Sequence, residues 1–308
     1  MSAGAPEIVI AGNLLVDDIV LRDGRTLMGE PGGAVLHAAL AAALWGARVG
    51  VVGVLGTDYP PAAIEALTAR RIDTAGLRPS GATSLRTWLL YEHEARRVVH
   101  QLGSPSHEAV SPSAGDVPAA WWEAAIVHVA PMPRTIQLGF SAHAARERTV
   151  DPHEPLVPGG GDHGVERFAG FDGVFVSHEE LRLPGDLREQ AEGVPAARFV
   201  AIKRAGAGGW LLDRAAGRTF EWAARATRVV DTTGAGDAFA AGFLVGRLRG
   251  GSIEACCARG VVSASFALED WGARGLLAAD RDAAERRLLE WYGAAAAERP
   301  ARHGASPE

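Results

Sequence analysis

The sequence has little cysteine, almost no lysine and no long apolar run. Its two cysteines, Cys256 and Cys257, are adjacent in a segment that reads as a helix. They are too few for a structural zinc site and poorly placed to form a disulfide with each other, so we expect buried thiols. Lys203 is the only lysine, and arginine supplies the other basic charges.

These absences exclude several classes of partner. No stretch approaches the roughly 20 consecutive apolar residues that cross a bilayer, so we expect no membrane partner. Residues 1–6 lack the basic start and apolar run of a signal peptide, which favours the cytoplasm. The net charge is -6, and the basic residues form no stripe that could follow a phosphate backbone, so we expect no nucleic-acid partner.

The order of apolar segments predicts an α/β protein. The run from Glu7 to Gly12 is typical of a buried strand in a parallel sheet. Two hairpin-like excursions follow at residues 14–28 and 83–101. Elsewhere strands and helices alternate, which indicates βαβ units. The predicted strands are Val49–Val54, Ala125–Val129, Thr149–Asp151, Gly173–Ser177 and Phe199–Lys203, and the predicted helices are Ala34–Trp45 and Ile136–Arg146.

One segment carries the strongest chemical signal. Residues 229–244 read VVDTTGAGDAFAAGFL, a β-favouring approach, a glycine-rich turn and then a helix. Backbone amides at a helix N-terminus converge on one point and form a site for a phosphate oxygen. Asp237 lies beside this site, where its charge would repel a phosphate. It fits if it accepts the proton of an attacking hydroxyl. A local role in the first helical turn is the alternative.

The string Asp231-Thr-Thr-Gly-Ala-Gly-Asp237 resembles the C-terminal signature of the ribokinase, or PfkB, family of carbohydrate kinases. The resemblance covers nearly the whole chain. Further matches to family segments occur at Gly12–Asp17, at Gly32-Gly33 and at Gly53–Asp58. It implies a ribokinase-like three-layer α/β/α fold with a central, mostly parallel sheet and a small β-sheet lid.

The resemblance also implies roles for individual residues. Gly234, Ala235 and Gly236 would form the anion hole, and Asp237 would be the catalytic base. The acceptor hydroxyls would meet Asp17, Gly32, Gly33 and His37. ATP would lie against Lys203, Gly206, Gly209, Thr232, Gly234 and Gly236.

Metal ions enter through the same resemblance. Glu180 would organise Mg²⁺ through water, and the family leaves open a monovalent cation such as K⁺ beside Asp231 and Thr233. Two positions depart from the family pattern, because His37 and Ser177 stand where the family has asparagine. Histidine is larger than asparagine and can become charged near neutral pH, so the acceptor pocket is expected to differ from a ribose pocket.

These expectations define domains and competing functions. Residues 1–13, 29–83 and 103–298 would form the α/β domain, residues 14–28 and 84–102 the lid, and residues 299–308 a disordered tail. Exposed edges of the lid sheet favour a homodimer. We expect an ATP-dependent kinase for a small-molecule hydroxyl acceptor, a sugar or sugar-like molecule. The alternatives are a nucleoside kinase of the same fold and a catalytically decayed ligand-binding or regulatory protein.

Overall fold

The computed structural model describes residues 5–92, 95–143, 145–159 and 164–294. The tail expected at residues 299–308 lies outside these ranges. In chain order the strands are β1 (Ile8–Ala11), β2 (Leu15–Val20), β3 (Thr26–Gly32), β4 (Val49–Leu55), β5 (Asp73–Pro79), β6 (Arg86–Glu92), β7 (Ala95–His100), β8 (Ile126–Val129), β9 (Arg148–Val150), β10 (Gly173–Ser177), β11 (Phe199–Lys203), β12 (Gly209–Asp213) and β13 (Arg218–Trp222). The helices are α1 (Ala34–Leu44), α2 (Pro61–Ala69), α3 (Arg134–Gly139), α4 (Leu187–Glu192), α5 (Ala235–Leu248), α6 (Ile253–Leu268), α7 (Arg274–Ala278) and α8 (Arg281–Tyr292).

A large, mostly parallel sheet forms the centre of the molecule. Within the described residues it has nine strands in the order β13-β12-β11-β10-β9-β8-β1-β4-β5. Only the β11–β12 and β12–β13 pairs are antiparallel. The apolar run at the start of the chain becomes β1, which pairs with β4 and β8 on its two sides. The predicted α/β architecture is confirmed.

Helices cover both faces of this sheet and make three layers. Ile8 and Ile10 of β1 point to a core that includes α1, α5 and α6, whereas Val9 and Ala11 point to a second core on the opposite face. This alternation follows from the two-residue period of a strand. It also explains the unbroken apolar run, since a strand covered on both faces buries every side chain. Cys256 and Cys257 of α6 are buried free thiols, as expected.

Aromatic packing fixes α5 against the sheet. The Phe243 ring lies edge-on to Phe175 of β10 at 5.4 Å between centroids and contacts Phe199 of β11 at 5.2 Å. All three side chains are fully buried. Burying a large apolar side chain stabilises a fold by about 1.5–3 kcal/mol. This contact therefore holds the helix that begins at the glycine-rich turn in a defined position over the carboxyl ends of the strands.

A second sheet of four strands, in the order β3-β2-β6-β7, stands beside the central sheet in the described structure. The third strand continues past Met28 to Gly32. Asp58 accepts a hydrogen bond from the Ser84 amide at 2.6 Å, which ties the start of β6 to the main body. Arg274 of α7 bonds both carboxylate oxygens of Glu30, at 2.7 and 2.9 Å. We call this four-stranded sheet the lid.

Two local predictions were wrong, and three strands were missed. The helix expected at residues 136–146 is α3, which ends at Gly139. The Arg148 guanidinium donates to the carbonyls of Ser141 and His143, so those groups are used outside a helix. The approach at Val229 and Val230 is not a strand, although the Val230 amide bonds the Leu268 carbonyl at 2.8 Å. Strands β5, β12 and β13 had not been predicted.

None of the helices in the described ranges has both the length and the apolar character that a bilayer crossing requires.

Candidate active site

The glycine-rich turn leads directly into α5. Gly234 is the N-cap, with φ +73°, a conformation that favours glycine. A Cβ at this position would lie 2.0 Å from Cδ2 of His37, so the close approach of the two segments also requires glycine. The amides of Ala235 and Gly236 lie in the first turn of a 14-residue helix, at the positive end of its dipole. The turn has the form of an anion site.

Asp237 lies in the same first turn and is half-buried. Within the described residues, no group donates a hydrogen bond to its carboxylate, so the side chain does not cap the helix. Its oxygens therefore have no local hydrogen-bonding role among these residues. This geometry favours the chemical interpretation of Asp237 over the local one.

Lys203 brings three carboxylates together at the carboxyl ends of the strands. It is the last residue of β11, and its ammonium group bonds Asp151, which follows β9. Burial lowers the pKa of Lys203, but the negative charges of Asp151, Glu180 and Asp237 outweigh burial and raise it. The Lys203 nitrogen also lies 3.2 Å from the point that a Cβ of Gly236 would occupy. One cation therefore stands between the acidic groups and the anion site.

The acidic partners of Lys203 titrate abnormally. Burial raises the pKa of Asp151, while the Lys203 charge opposes the rise. Burial also raises the pKa of Glu180, against Lys203 and the Ser177 amide. That amide donates to Glu180 at 2.9 Å and holds the turn after β10. The Ser177 hydroxyl accepts from the Glu179 amide at 3.2 Å, so the residue that replaces the family asparagine stabilises the same turn.

Asp17 and two glycines form the side of the candidate site next to the lid. Asp17 lies in β2 with 4% of its surface exposed. Burial raises the pKa of its carboxyl to about 7, against the positive charge of Arg96. A Cβ on Gly32 would fall 1.9 Å from Asp17 Oδ2. Gly33 has φ +100°, and its Cβ would fall 2.2 Å from the Asn13 carbonyl oxygen. Both glycines let the chain pass close to Asp17 and Asn13.

His37 connects the two sides of the site. Its Nδ1 lies 3.1 Å from the Gly33 carbonyl, and its ring packs against Gly234. Its Nε2 is buried and has no hydrogen-bond partner in the part of the chain that the structure describes. A buried polar nitrogen without a partner is costly. It therefore marks a point where a ligand group could bond.

We call the glycine-rich turn Gly234–Gly236 the anion turn, and the segment before it is held by Asp231. Asp231 Oδ1 accepts from the Thr233 amide at 2.9 Å and from the Thr233 hydroxyl at 2.8 Å, and Oδ2 accepts from the Gly272 amide at 2.8 Å. Tyr91 of the lid donates to the same Oδ1 at 2.6 Å. Thr232 is exposed, and its hydroxyl donates to the Tyr91 oxygen at 3.2 Å. The hydrogen bonds that the Asp231 carboxylate accepts therefore stabilise the turn itself.

The two glycines expected near the nucleotide differ in surroundings. Gly206 has no atom within 4 Å of its would-be Cβ, so open space adjoins it. Gly209 begins β12, and its would-be Cβ falls 1.9 Å from the Trp222 ring. That ring stacks on Phe239 of α5 with centroids 4.8 Å apart. Gly209 therefore allows the packing of β13 under α5, while Gly206 faces the open side of the turn.

The sequence prediction missed three kinds of site residue. The sequence pattern predicts Asp151 only as the end of a strand and places Tyr91 only within a hairpin. Three histidines from separate segments also come together: His107 contacts His100 and His153 edge-on, with centroid distances of 5.3 and 5.0 Å. Burial, with the neighbouring histidine charges, lowers the pKa of His107 to about 4. The irregular spacing of these histidines carries no signal in the sequence.

Within the described ranges, no group of three or more acidic, histidine or cysteine side chains is arranged to hold a metal ion by itself. Glu180, Asp151 and Asp237 nevertheless provide oxygen atoms of the kind that Mg²⁺ prefers. Because Mg²⁺ commonly binds through one or two carboxylates, water and substrate phosphates, these residues fit a metal that arrives with a phosphorylated substrate.

Fold and site together define a phosphotransferase whose acceptor is an alcohol group. Residues 13–280 match the model of the pfkB family of carbohydrate kinases. The chain belongs to this family, as the sequence motifs indicated. The matched range includes the lid strands, the glycine-rich turn and the residues around Lys203.

Similar proteins include nucleoside and sugar kinases. Cytidine kinase from Thermococcus kodakarensis is 28% identical over 280 residues, which cover 86% of this chain and 97% of that protein. A nucleoside kinase from Burkholderia thailandensis, solved with inosine, superposes with a TM-score of 0.72, 18% identity and coverage of 93% and 97%. An E. coli protein solved as a candidate ribokinase II with ATP and Mg²⁺ gives a TM-score of 0.71, 17% identity and coverage of 92% and 99%.

Replacing Asp17 should stabilise the protein at alkaline pH. A carboxyl whose folded-state pKa is raised to about 7 holds its proton better folded than unfolded, so its contribution to stability is lost as pH rises through 7. We expect Asp17→Asn to gain on the order of 2–4 kcal/mol of unfolding free energy at pH 8, and much less at pH 5, in urea titrations of the ligand-free protein.

Asp23→Asn is the matched control, because Asp23 is exposed and bonded to Arg25, which lowers its pKa. A gain for Asp17→Asn that does not grow between pH 5 and pH 8 would contradict the assignment.

Proposed function

We propose that this protein is an ATP-dependent kinase that transfers the γ-phosphoryl group to a hydroxyl of a nucleoside. Asp237 accepts the proton of the attacking hydroxyl. The Gly234–Gly236 amides stabilise negative charge on the transferring phosphoryl group. Asp17, Gly33 and His37 bind the sugar hydroxyls of the acceptor.

The observation that carries this proposal is the position of Asp237. Its carboxylate makes no helix cap and stands in the same helical turn as the anion-site amides. Proton removal and charge stabilisation then occur at neighbouring atoms, as phosphoryl transfer requires. A purely structural aspartate would instead use its oxygens locally, as Asp280 does when it accepts from the Ala283 amide at the start of α8.

ATP and Mg²⁺ are supported by the residues around Lys203. The ammonium group lies next to the anion turn and can contact phosphate oxygens, and Gly206 leaves open space on the expected nucleotide side. Mg²⁺, when bound, offsets phosphate charge. Glu180 would hold it through water. The resemblance to a structure solved with ATP and Mg²⁺ supports the same assignment.

The Asp231 carboxylate already accepts four hydrogen bonds, so K⁺ beside it would be bound mainly by other oxygen atoms. The main-chain carbonyls of the segment Asp231–Thr233 are the remaining oxygen atoms there.

A nucleoside suits the acceptor side better than a free sugar. The resemblance to cytidine kinase extends over nearly the whole of both chains. Physically, the histidine cluster gives an aromatic surface close to Arg96, whose charge also acts on the Asp17 carboxyl. Asn13 donates to Ser111 at 2.9 Å, and Ser111 donates to the His107 carbonyl at 2.7 Å, which places His107 close to Gly33. The imidazole rings can contact a nucleobase while Asp17 binds the ribose.

A free sugar is the second candidate, because the buried Asp17 carboxyl can bind sugar hydroxyls whether or not a nucleobase is attached.

Asp237→Asn should abolish turnover and retain ATP binding. The amide cannot accept the proton, and loss of a general base typically costs 10²–10⁴-fold in rate. We expect kcat to fall by at least about 100-fold with the ATP dissociation constant changed little, measured by coupled assay and calorimetry. Asp282→Asn is the control, because Asp282 lies in the first turn of α8. Retention of most activity by Asp237→Asn would refute the assigned role.

An acceptor panel tests the substrate class. ADP release and product mass should be followed with cytidine, inosine and other nucleosides, with ribose and with hexoses. We expect the highest kcat/KM for a nucleoside. Higher values for free sugars would move the assignment to the second candidate. ATP turnover with none of these compounds, despite their tight binding, would favour the catalytically decayed protein.

The lid is also the proposed homodimer contact. Met28, Val98 and Val99 lie on lid strands with 46%, 44% and 38% of their surfaces exposed. Two lids that join would cover these apolar side chains and an exposed strand edge. We expect light scattering to show a dimer that Val98→Asp shifts to monomer, whereas Leu289→Asp, on exposed α8, leaves the mass unchanged. A monomeric wild-type protein would contradict this proposal.

A further inference from the structure

Tyr91 forms a polar contact between the lid and the anion turn. It lies near the end of β6, opposite Arg96 of β7. Its hydroxyl donates to Asp231 at 2.6 Å, accepts from Thr232 at 3.2 Å and lies 2.9 Å from the Thr233 hydroxyl. A single lid hydroxyl therefore contacts three consecutive residues that lead into Gly234.

The bond to Asp231 matters because of the charge on that carboxylate. Asp231 is 1% exposed, and no arginine or lysine pairs with it among the residues that the structure covers. The groups that donate hydrogen bonds to its carboxylate are all neutral: Tyr91, the amide and hydroxyl of Thr233, and the Gly272 amide. Hydrogen bonds to a buried charge are stronger than bonds between neutral groups. Loss of one such donor weakens the hydrogen-bond network through which Asp231 shapes the turn.

The Tyr91 ring has a separate, apolar role. It packs with Trp271 against a small cluster formed by Ile19, Leu21 and Leu89. Trp271 directly precedes Gly272, so the apolar contact and the hydrogen bond meet on the same loop. Tyr91→Phe keeps the ring and removes only the hydroxyl, which separates lid packing from the polar contact.

We propose that Tyr91 is a positioning residue, whose hydroxyl holds the anion turn in its working shape while the lid lies over the acceptor. The link to catalysis rests on the proposed function. When the lid moves away, Asp231 loses a donor and the Thr233–Gly236 backbone loosens. A bound acceptor, which contacts the lid through Asp17, favours the ordered turn. The Tyr91 contact thereby couples acceptor binding to charge stabilisation at the phosphoryl group. Transfer to water is promoted little, because the turn is less ordered when no acceptor is bound.

Hydrogen exchange tests the contact without any need for turnover. The Thr233 amide donates to Asp231, so its exchange reports on this carboxylate. In the ligand-free protein, Tyr91→Phe should speed exchange in the peptide that covers residues 231–236 by about tenfold or more, with the thermal midpoint of unfolding little changed. Tyr292→Phe is the control, because this tyrosine lies at the end of α8 with Arg225 over its ring. Equal exchange in wild type and Tyr91→Phe would overturn the proposal.

Kinetics test its consequence for catalysis. With the best acceptor from the panel, we expect Tyr91→Phe to lower kcat by about 10- to 100-fold and to leave the KM for ATP within about twofold. The acceptor should slow exchange of residues 231–236 in wild type but not in Tyr91→Phe. An unchanged kcat overturns the positioning role while the proposed function stands. If wild type turns over no acceptor, the proposed function fails, and the ligand-free exchange result still decides the contact.

Discussion

Three carboxylates surround one ammonium group, and the chemistry of the site depends on that charge balance. Asp151, Glu180 and Asp237 all act on Lys203, whose own pKa rises in response. Without this cation the acidic groups would repel a phosphate from the anion turn. With it, the remaining negative charge suits a divalent ion that arrives with the nucleotide. The only lysine in the chain therefore lies where a buried positive charge is needed.

The parallel sheet brings these groups to one place. Parallel strands direct their carboxyl ends to the same edge, so residues after β9, β10 and β11 converge although they are far apart in sequence. The phenylalanine cluster beneath α5 fixes the distance of the anion turn from this edge. On the lid side, burial raises the pKa of the Asp17 carboxyl, which lowers the stability of the fold as pH rises towards 7.

Sequence patterns predicted the frame well and the irregular parts poorly. Buried strands such as β1 and β10 have apolar runs that only a sheet covered on both faces explains. The helix predicted from residue 136 is longer than the observed one, because the guanidinium of Arg148 competes for the carbonyls beyond Gly139. The β12–β13 hairpin was missed, since its charged outer residues resemble a surface loop. Val229 and Val230 favour strand locally, yet within the described residues they pair with no strand.

The chain's local order determined the family, the anion turn and the identity of the proposed base, because these depend on neighbouring residues: a glycine that permits φ +73°, two amides and an aspartate in one helical turn. Only the tertiary structure decided which distant groups complete the site. Asp151 meets Lys203 across 52 positions and Tyr91 meets Asp231 across 140. Such contacts follow from strand order and the docking of the lid, and no pattern of adjacent residues encodes them.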